Sequence, residues 1–140
     1  MKTFETTLSI RATPETVWAI LTDASRWTEW NTTVDKIEGT IALGNKVTVY
    51  AKISPGRAFP VKVAVLDAPK RMVWSGGMPL GLFKGERTYT LTPKDGGVEF
   101  DMREVYTGLM AGMITKSIPD LTPAFVEFGE ALKKKAEAGH

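Results

Sequence analysis

The sequence has no cysteine and a single histidine, His140, which is its last residue. Without cysteine there is no disulfide, no thiolate nucleophile and no zinc–sulfur site, a composition that suits a reducing compartment. A lone histidine at a chain end, where order is lowest, removes Ser-His-Asp and Cys-His machinery and histidine-rich metal sites. A phosphate-binding G-x-x-x-x-G-K-[ST] loop is also missing, and Gly76-Gly77 through Gly81 does not match a dinucleotide fingerprint. No metal and no cofactor is therefore expected. The N-terminus lacks an apolar core of signal-peptide length, and no apolar run approaches the ~20 residues of a membrane-spanning helix. The expectation is a cytoplasmic protein without membrane insertion. Eighteen Lys and Arg face 16 Asp and Glu, a net charge of +2, too near neutral to favour nucleic acid.

What is present is an ordinary globular composition, 43% hydrophobic and 24% charged over 140 residues, the size of one domain spanning 1–140. Apolar residues alternate along Thr3–Arg11, Val34–Glu38, Lys46–Ser54, Pro60–Leu66, Arg71–Ser75, Leu82–Pro93 and Val98–Thr107, which predicts seven strands with one buried face each. Lys94-Asp95-Gly96-Gly97 is a hairpin turn between the two longest. Short links throughout predict an antiparallel meander.

Helices occupy two places. Thr13-Pro14-Glu15 supplies an N-cap, a first-turn proline and an acid for the helix dipole, starting a helix to about Thr22. Asp23 is the expected cap of a second short helix carrying Trp27 and Trp30. From Met110 to about Ala138, Met110, Met113, Ile114, Ile118, Leu121, Phe125, Phe128 and Leu132 fall three and four apart, one apolar helix face. Pro119 and Pro123 should kink or split it near Ser117–Thr122. Gly76–Gly81 and Ser54–Phe59 are the expected rim loops, and Lys133-Lys134-Lys135 is an expected solvated turn.

This element order and several local motifs resemble the START-like superfamily, also called SRPBCC or the Bet v 1-like helix-grip fold, with a polyketide cyclase/dehydrase-type member as the nearest kind. The motifs are Ile10 to Trp18, Asp23 through Trp27 to Trp30-Asn31, Glu104-Val105-Tyr106-Thr107-Gly108, and Phe125 to Glu137. The resemblance implies an α+β helix-grip fold: a curved antiparallel sheet of about seven strands wrapped around a long C-terminal helix, with two short helices after the first strand. It covers nearly the whole chain. Its functions are diverse, including polyketide cyclases, lipid-transfer domains, hormone and alkaloid binders, and Hsp90 co-chaperones.

One constellation stands out within the strands. If the hairpin turn sets Pro93 opposite Val98, then Leu91 faces Phe100, Tyr89 faces Met102 and Arg87 faces Glu104, all with the parity of the apolar face and of Tyr106. Opposite charges on such a wall are costly to desolvate. They serve either as a polar handle in a cavity or as a structural ion pair at its rim. The sheet–helix space is expected to be lined by Val49, Val63, Trp74, Tyr89, Phe100, Met102, Met113, Leu121 and Phe125. The leading expectation is a binder of a small hydrophobic ligand, apolar or aromatic, acting as a monomer or weak homodimer. The alternative is a polyketide cyclase or dehydratase in which Glu104 or Tyr106 is the general acid or base and Arg87 stabilises an enolate. A further alternative is an Hsp90-activator-like interaction module using the outer sheet face, where Lys46, Lys52, Lys62, Lys84 and Glu86 point.

Overall fold

Each alternating segment forms a strand in the computed structural model, which describes residues 2–138. The expectation for His140 lies outside the described residues. The strands are β1 (Lys2–Ile10), β2 (Val34–Glu38), β3 (Lys46–Ala51), β4 (Phe59–Asp67), β5 (Arg71–Met78), β6 (Phe83–Lys94) and β7 (Gly97–Thr107). They form one seven-stranded sheet in the order β1-β7-β6-β5-β4-β3-β2, every pair antiparallel. The helices are α1 (Pro14–Leu21), α2 (Trp27–Trp30), α3 (Ala111–Thr115) and α4 (Thr122–Ala138). This is the helix-grip arrangement, with α4 and the short helices on the concave face.

The long hairpin keeps the register read from its turn: Pro93 pairs with Val98, Leu91 with Phe100, Tyr89 with Met102 and Arg87 with Glu104. Helix α1 begins as its sequence dictates. The Thr13 side chain accepts from the Thr16 amide at 3.1 Å and Pro14 occupies the first turn. Asp23 departs from expectation and makes no capping bond. Its carboxylate is taken by the Ser25 hydroxyl, and Ala24–Arg26 forms a tight 3-10 turn that leads into α2.

The prolines split the last helix as predicted. Between α3 and α4 the chain turns, and Asp120 accepts from the Thr122 amide at 3.0 Å to restart it. The expected loop at Gly76–Gly81 is shorter than its glycines suggest. Gly76 and Gly77 pair with Gly85 and Lys84, extending β5 to Met78 and leaving a turn at Pro79–Leu82. Gly77 has φ +135°, and a Cβ there would lie 2.5 Å from the Phe83 carbonyl, so the strand tolerates glycine alone.

Helix α4 runs along β1. Gly129 meets the Leu8 side chain, where a Cβ would come within 2.8 Å. Lys133, expected in solvent, instead donates to the Ser9 carbonyl at 2.8 Å, and Glu137 accepts from the Arg11 amide at 2.9 Å. A long flexible stem lets a lysine on a helix flank reach a strand end that periodicity alone does not reveal. The buried core runs from Phe4 and Tyr106 at one end through Trp74, Tyr89, Phe100 and Phe128 to Val17, Leu21 and Leu132 at the other.

Candidate functional site

Strand pairing builds the site as rows across the inner wall. Trp74, Arg87, Glu104 and Phe4 stand directly opposite one another on β5, β6, β7 and β1. The neighbouring row carries Met72, Tyr89, Met102 and Thr6, and the row on the other side Gly76, Gly85, Tyr106 and Lys2. Arg87 Nε donates to Glu104 Oε1 at 3.0 Å and its Nη2 reaches Oε2 at 3.5 Å. The Tyr106 hydroxyl donates to the same Oε2 at 2.5 Å. The two charged side chains are 24% and 12% exposed, so the pair is largely withdrawn from water without being sealed.

Aromatic rings close around it. The Arg87 guanidinium lies 4.8 Å from the Phe125 ring centre on α4, a favourable cation–π placement. Tyr106 stacks on Phe83 at 5.6 Å and meets Phe4 edge-on at 6.2 Å. Gly85 makes this posture possible, because a Cβ there would press to 3.1 Å from the Tyr106 ring.

The electrostatics follow from this enclosure. Burial acts to lower the Arg87 pKa, but the Glu104 carboxylate, the adjacent Tyr89 hydroxyl and the hydrogen bonds to both outweigh it, and the guanidinium stays charged. Tyr106 is held above the ordinary phenol range by burial first and then by the Glu104 charge, so it remains a protonated donor. Tyr89 is pushed up to about 12, chiefly by burial. Glu104 accepts from two partners at once, whereas Arg87 spends two of its nitrogens and has further N–H groups to offer.

The structure brings Arg87, Glu104, Tyr106 and Phe125 together and places the other expected lining residues differently. Val63, Trp74, Tyr89, Phe100 and Met102 are buried to within 3% of completely. They are packed on one another and on the helices: Trp27 stacks on Trp74 at 5.4 Å, and Phe128 stacks on Phe100 at 6.1 Å. The indole of Trp27, reaching in from α2 with its N–H on the Leu21 carbonyl at 2.9 Å, occupies the centre of the space. Val49 and Leu121 sit half-buried at the margins. Met113 is corrected outright: it is 63% exposed, because the break after α3 turns that side of the helical stripe outward.

Phe4 was missed as a site residue. Its signal was the alternation of β1, which put it inward, but only the β1–β7 register puts it opposite Glu104. Two surface clefts lie elsewhere, one around Leu43, Lys62 and Ser75 and one around Arg11, Thr13 and Lys94; neither contains the pair. Among the described residues no cluster of His, Asp or Glu suits a metal ion, and no helix is long and apolar enough to cross a membrane.

A family model described as polyketide cyclase / dehydrase and lipid transport matches residues 1–137. No curated protein sequence matches the chain. Among solved structures, the protein MLL2253 from Mesorhizobium loti is 18% identical with a TM-score of 0.76, covering 99% of each chain. The Aha1 dimer from Colwellia psychrerythraea is 18% identical, TM-score 0.74, covering 99% of this chain and 98% of that one. The di-domain ARO/CYC StfQ from the steffimycin biosynthetic pathway is 15% identical, TM-score 0.72, with 99% of this chain matching 52% of it. Identities this low establish a shared fold.

Proposed function

This chain belongs to the polyketide cyclase / dehydrase and lipid transport family, and from that premise we propose that it binds a small apolar or aromatic molecule at the Arg87–Glu104–Tyr106 end of the sheet–helix space. The observation that carries this reading is the placement of a paired arginine and glutamate on an inner wall among Phe4, Phe83, Tyr106 and Phe125. A few convergent polar groups on an otherwise apolar surface are how small-molecule sites fix orientation. Partial exposure of the pair leaves it within reach of a molecule arriving from solvent.

The catalytic alternative has a narrower form than the residue types alone suggest. Tyr106, kept protonated, suits the donation of a hydrogen bond or proton to a carbonyl oxygen. Glu104, already accepting from Arg87 and Tyr106, suits the role of anchor for those two donors.

The test is native mass spectrometry of protein purified from its own host, wild type against Glu104→Gln, with thermal melts across apolar and aromatic compounds. A co-purifying molecule lost in the variant is expected. A ligand at ~100 times its dissociation constant should add roughly 2.7 kcal/mol of stability. Empty wild-type protein that no such compound stabilises would overturn the reading.

A further inference from the structure

The antiparallel order gathers the end of β3, the start of β4, the end of β5, the start of β6, the end of β7 and the start of β1 at one end of the sheet. Among the described residues eight large apolar side chains are exposed, and six of them lie at this end: Ile53, Phe59, Met78, Leu80, Leu109 and Met113. The turns at the opposite end hold only Leu43. Scattered exposed apolar residues need no explanation, but a cluster does. Leu80 and Leu109 are 92% and 87% exposed, on turns tied together by backbone bonds from Leu109 to Gly81 and from Met110 to Leu82. Leu80 also takes a left-handed φ of 61°, which disfavours leucine, and its exposure leaves it no packing in return.

We infer that this end docks on an anionic lipid surface, with Leu80, Leu109 and Met113 entering the boundary between headgroups and acyl chains. Residues 52–58, 79–82 and 108–121 carry Lys52, Arg57 and Lys116 against one acid, Asp120, which has Lys2 near it. Asp35 and Glu86 follow on the strands, and Glu86 bridges Lys84 at 3.2 Å. Cations a few residues from protruding leucines suit a bilayer with anionic headgroups. Charge alone does not choose the end, since Arg11, Lys70 and Lys94 also outnumber Asp95 around the turns opposite. The apolar residues choose it. Neither surface cleft lies here, so the leucines project as separate points and line no groove for a peptide or helix. A fluid apolar layer receives such points without a matching surface. No described helix is long and apolar enough to cross a bilayer, so the contact is peripheral. This docking does not depend on the ligand reading above.

The test is co-sedimentation of the full-length protein with large phosphatidylcholine vesicles, with and without about one-third phosphatidylglycerol. Wild type should pellet with the anionic vesicles, and less with neutral vesicles or as salt rises. Leu80→Asn combined with Leu109→Asn should weaken binding by at least ~tenfold, through the lost burial of two apolar side chains. Its melting temperature should stay at or above that of wild type, since both leucines are exposed and asparagine tolerates the backbone at position 80. Leu43→Asn, at the opposite end, should leave binding unchanged. Protein that stays in solution with anionic vesicles would overturn the inference, as would equal binding to neutral ones. Binding retained by the double variant, or lost equally in Leu43→Asn, would overturn it as well. Self-association of wild type that the double variant abolishes, without vesicle binding, would give this end to a second copy of the chain instead. Each single variant is measured too, so the comparison survives a double variant that does not fold.

Discussion

Toward one end of the interior, Phe128 is enclosed by the rings of Trp27, Trp30, Tyr89 and Phe100; less than one turn away on α4, toward the other end, Phe125 faces Phe4 and the Arg87 guanidinium. The two ends share one sheet and one helix. They differ in what the short helices contribute. Helix α2 drives two indoles inward at the first end, and both Trp27 and Trp30 are more than nine-tenths buried. Helix α3, at the second end, buries only Ala111 and leaves Met113 outside. Leu80 and Leu109, on the two turns beside it, are 92% and 87% exposed. Those turns are joined by backbone bonds, Leu109 to the Gly81 carbonyl at 3.1 Å and Met110 to the Leu82 carbonyl at 2.8 Å. A fold can thus close a core at one end and keep a partly exposed ion pair at the other by changing the side chains of a few connecting residues.

The comparison is broken most directly by truncating the two phenylalanines. Phe128→Ala should cost about 3–5 kcal/mol in urea unfolding, the range for a large ring in a packed core. Phe125→Ala should cost at least ~1 kcal/mol less, since the open end can relax or admit water. Equal losses would show the two ends to be packed alike.

The ion pair gives the next largest effect. Glu104→Ala strands the Arg87 charge, and a loss of about 1–3 kcal/mol is expected, below the cost of a fully buried pair because Arg87 keeps contact with solvent. Replacing both partners by methionine should restore most of it. A double variant as unstable as the single one would mean that the rings around the pair, and not its charges, set the cost.

Alkaline titration sharpens the contrast further. Burial pushes the Tyr89 phenol up to about 12 and Tyr106 above its ordinary range, so both hold their protons more tightly folded than unfolded. Stability from these groups is complete below the ordinary phenol pKa near 10 and declines as pH rises through and beyond it. Tyr89→Phe and Tyr106→Phe should each flatten that decline. Stability independent of pH between 9 and 12 in the wild type would contradict both shifts.

The smallest effect belongs to the rim. Leu80 adopts φ 61°, the left-handed region that disfavours a leucine. Leu80→Asn should raise stability by about 0.5–1 kcal/mol in thermal melts, since asparagine tolerates that conformation. A loss would mean that the leucine side chain contributes packing its exposure does not suggest.

Much of the fold was legible because the deciding signals are local or periodic. Alternation gave all seven strands, Thr13-Pro14 gave the start of α1, and the Lys94–Gly97 turn gave the hairpin register and with it the facing of Arg87 and Glu104. The break between α3 and α4 followed from Pro119 and Pro123. The missed features are those in which a side chain meets something remote in sequence. Phe4 arriving opposite Glu104 and Lys133 reaching the Ser9 carbonyl are pairings that no window of neighbouring residues contains. Met113 failed for the opposite reason: its helical spacing was sound, but a five-residue helix turned away from the stripe of α4 no longer shares its face.

Local patterning set which residues face inward on each strand, where the helices start and stop, and that an arginine and a glutamate share the inner face of one hairpin. Period-two and three-to-four-residue patterns and turn chemistry act within a few residues of themselves. Which part of the interior is filled with rings and which keeps a partly exposed ion pair was settled by tertiary packing. That depends on where α2 and α4 lodge their rings against a curved sheet, and such packing is settled by shape among residues that the chain holds far apart.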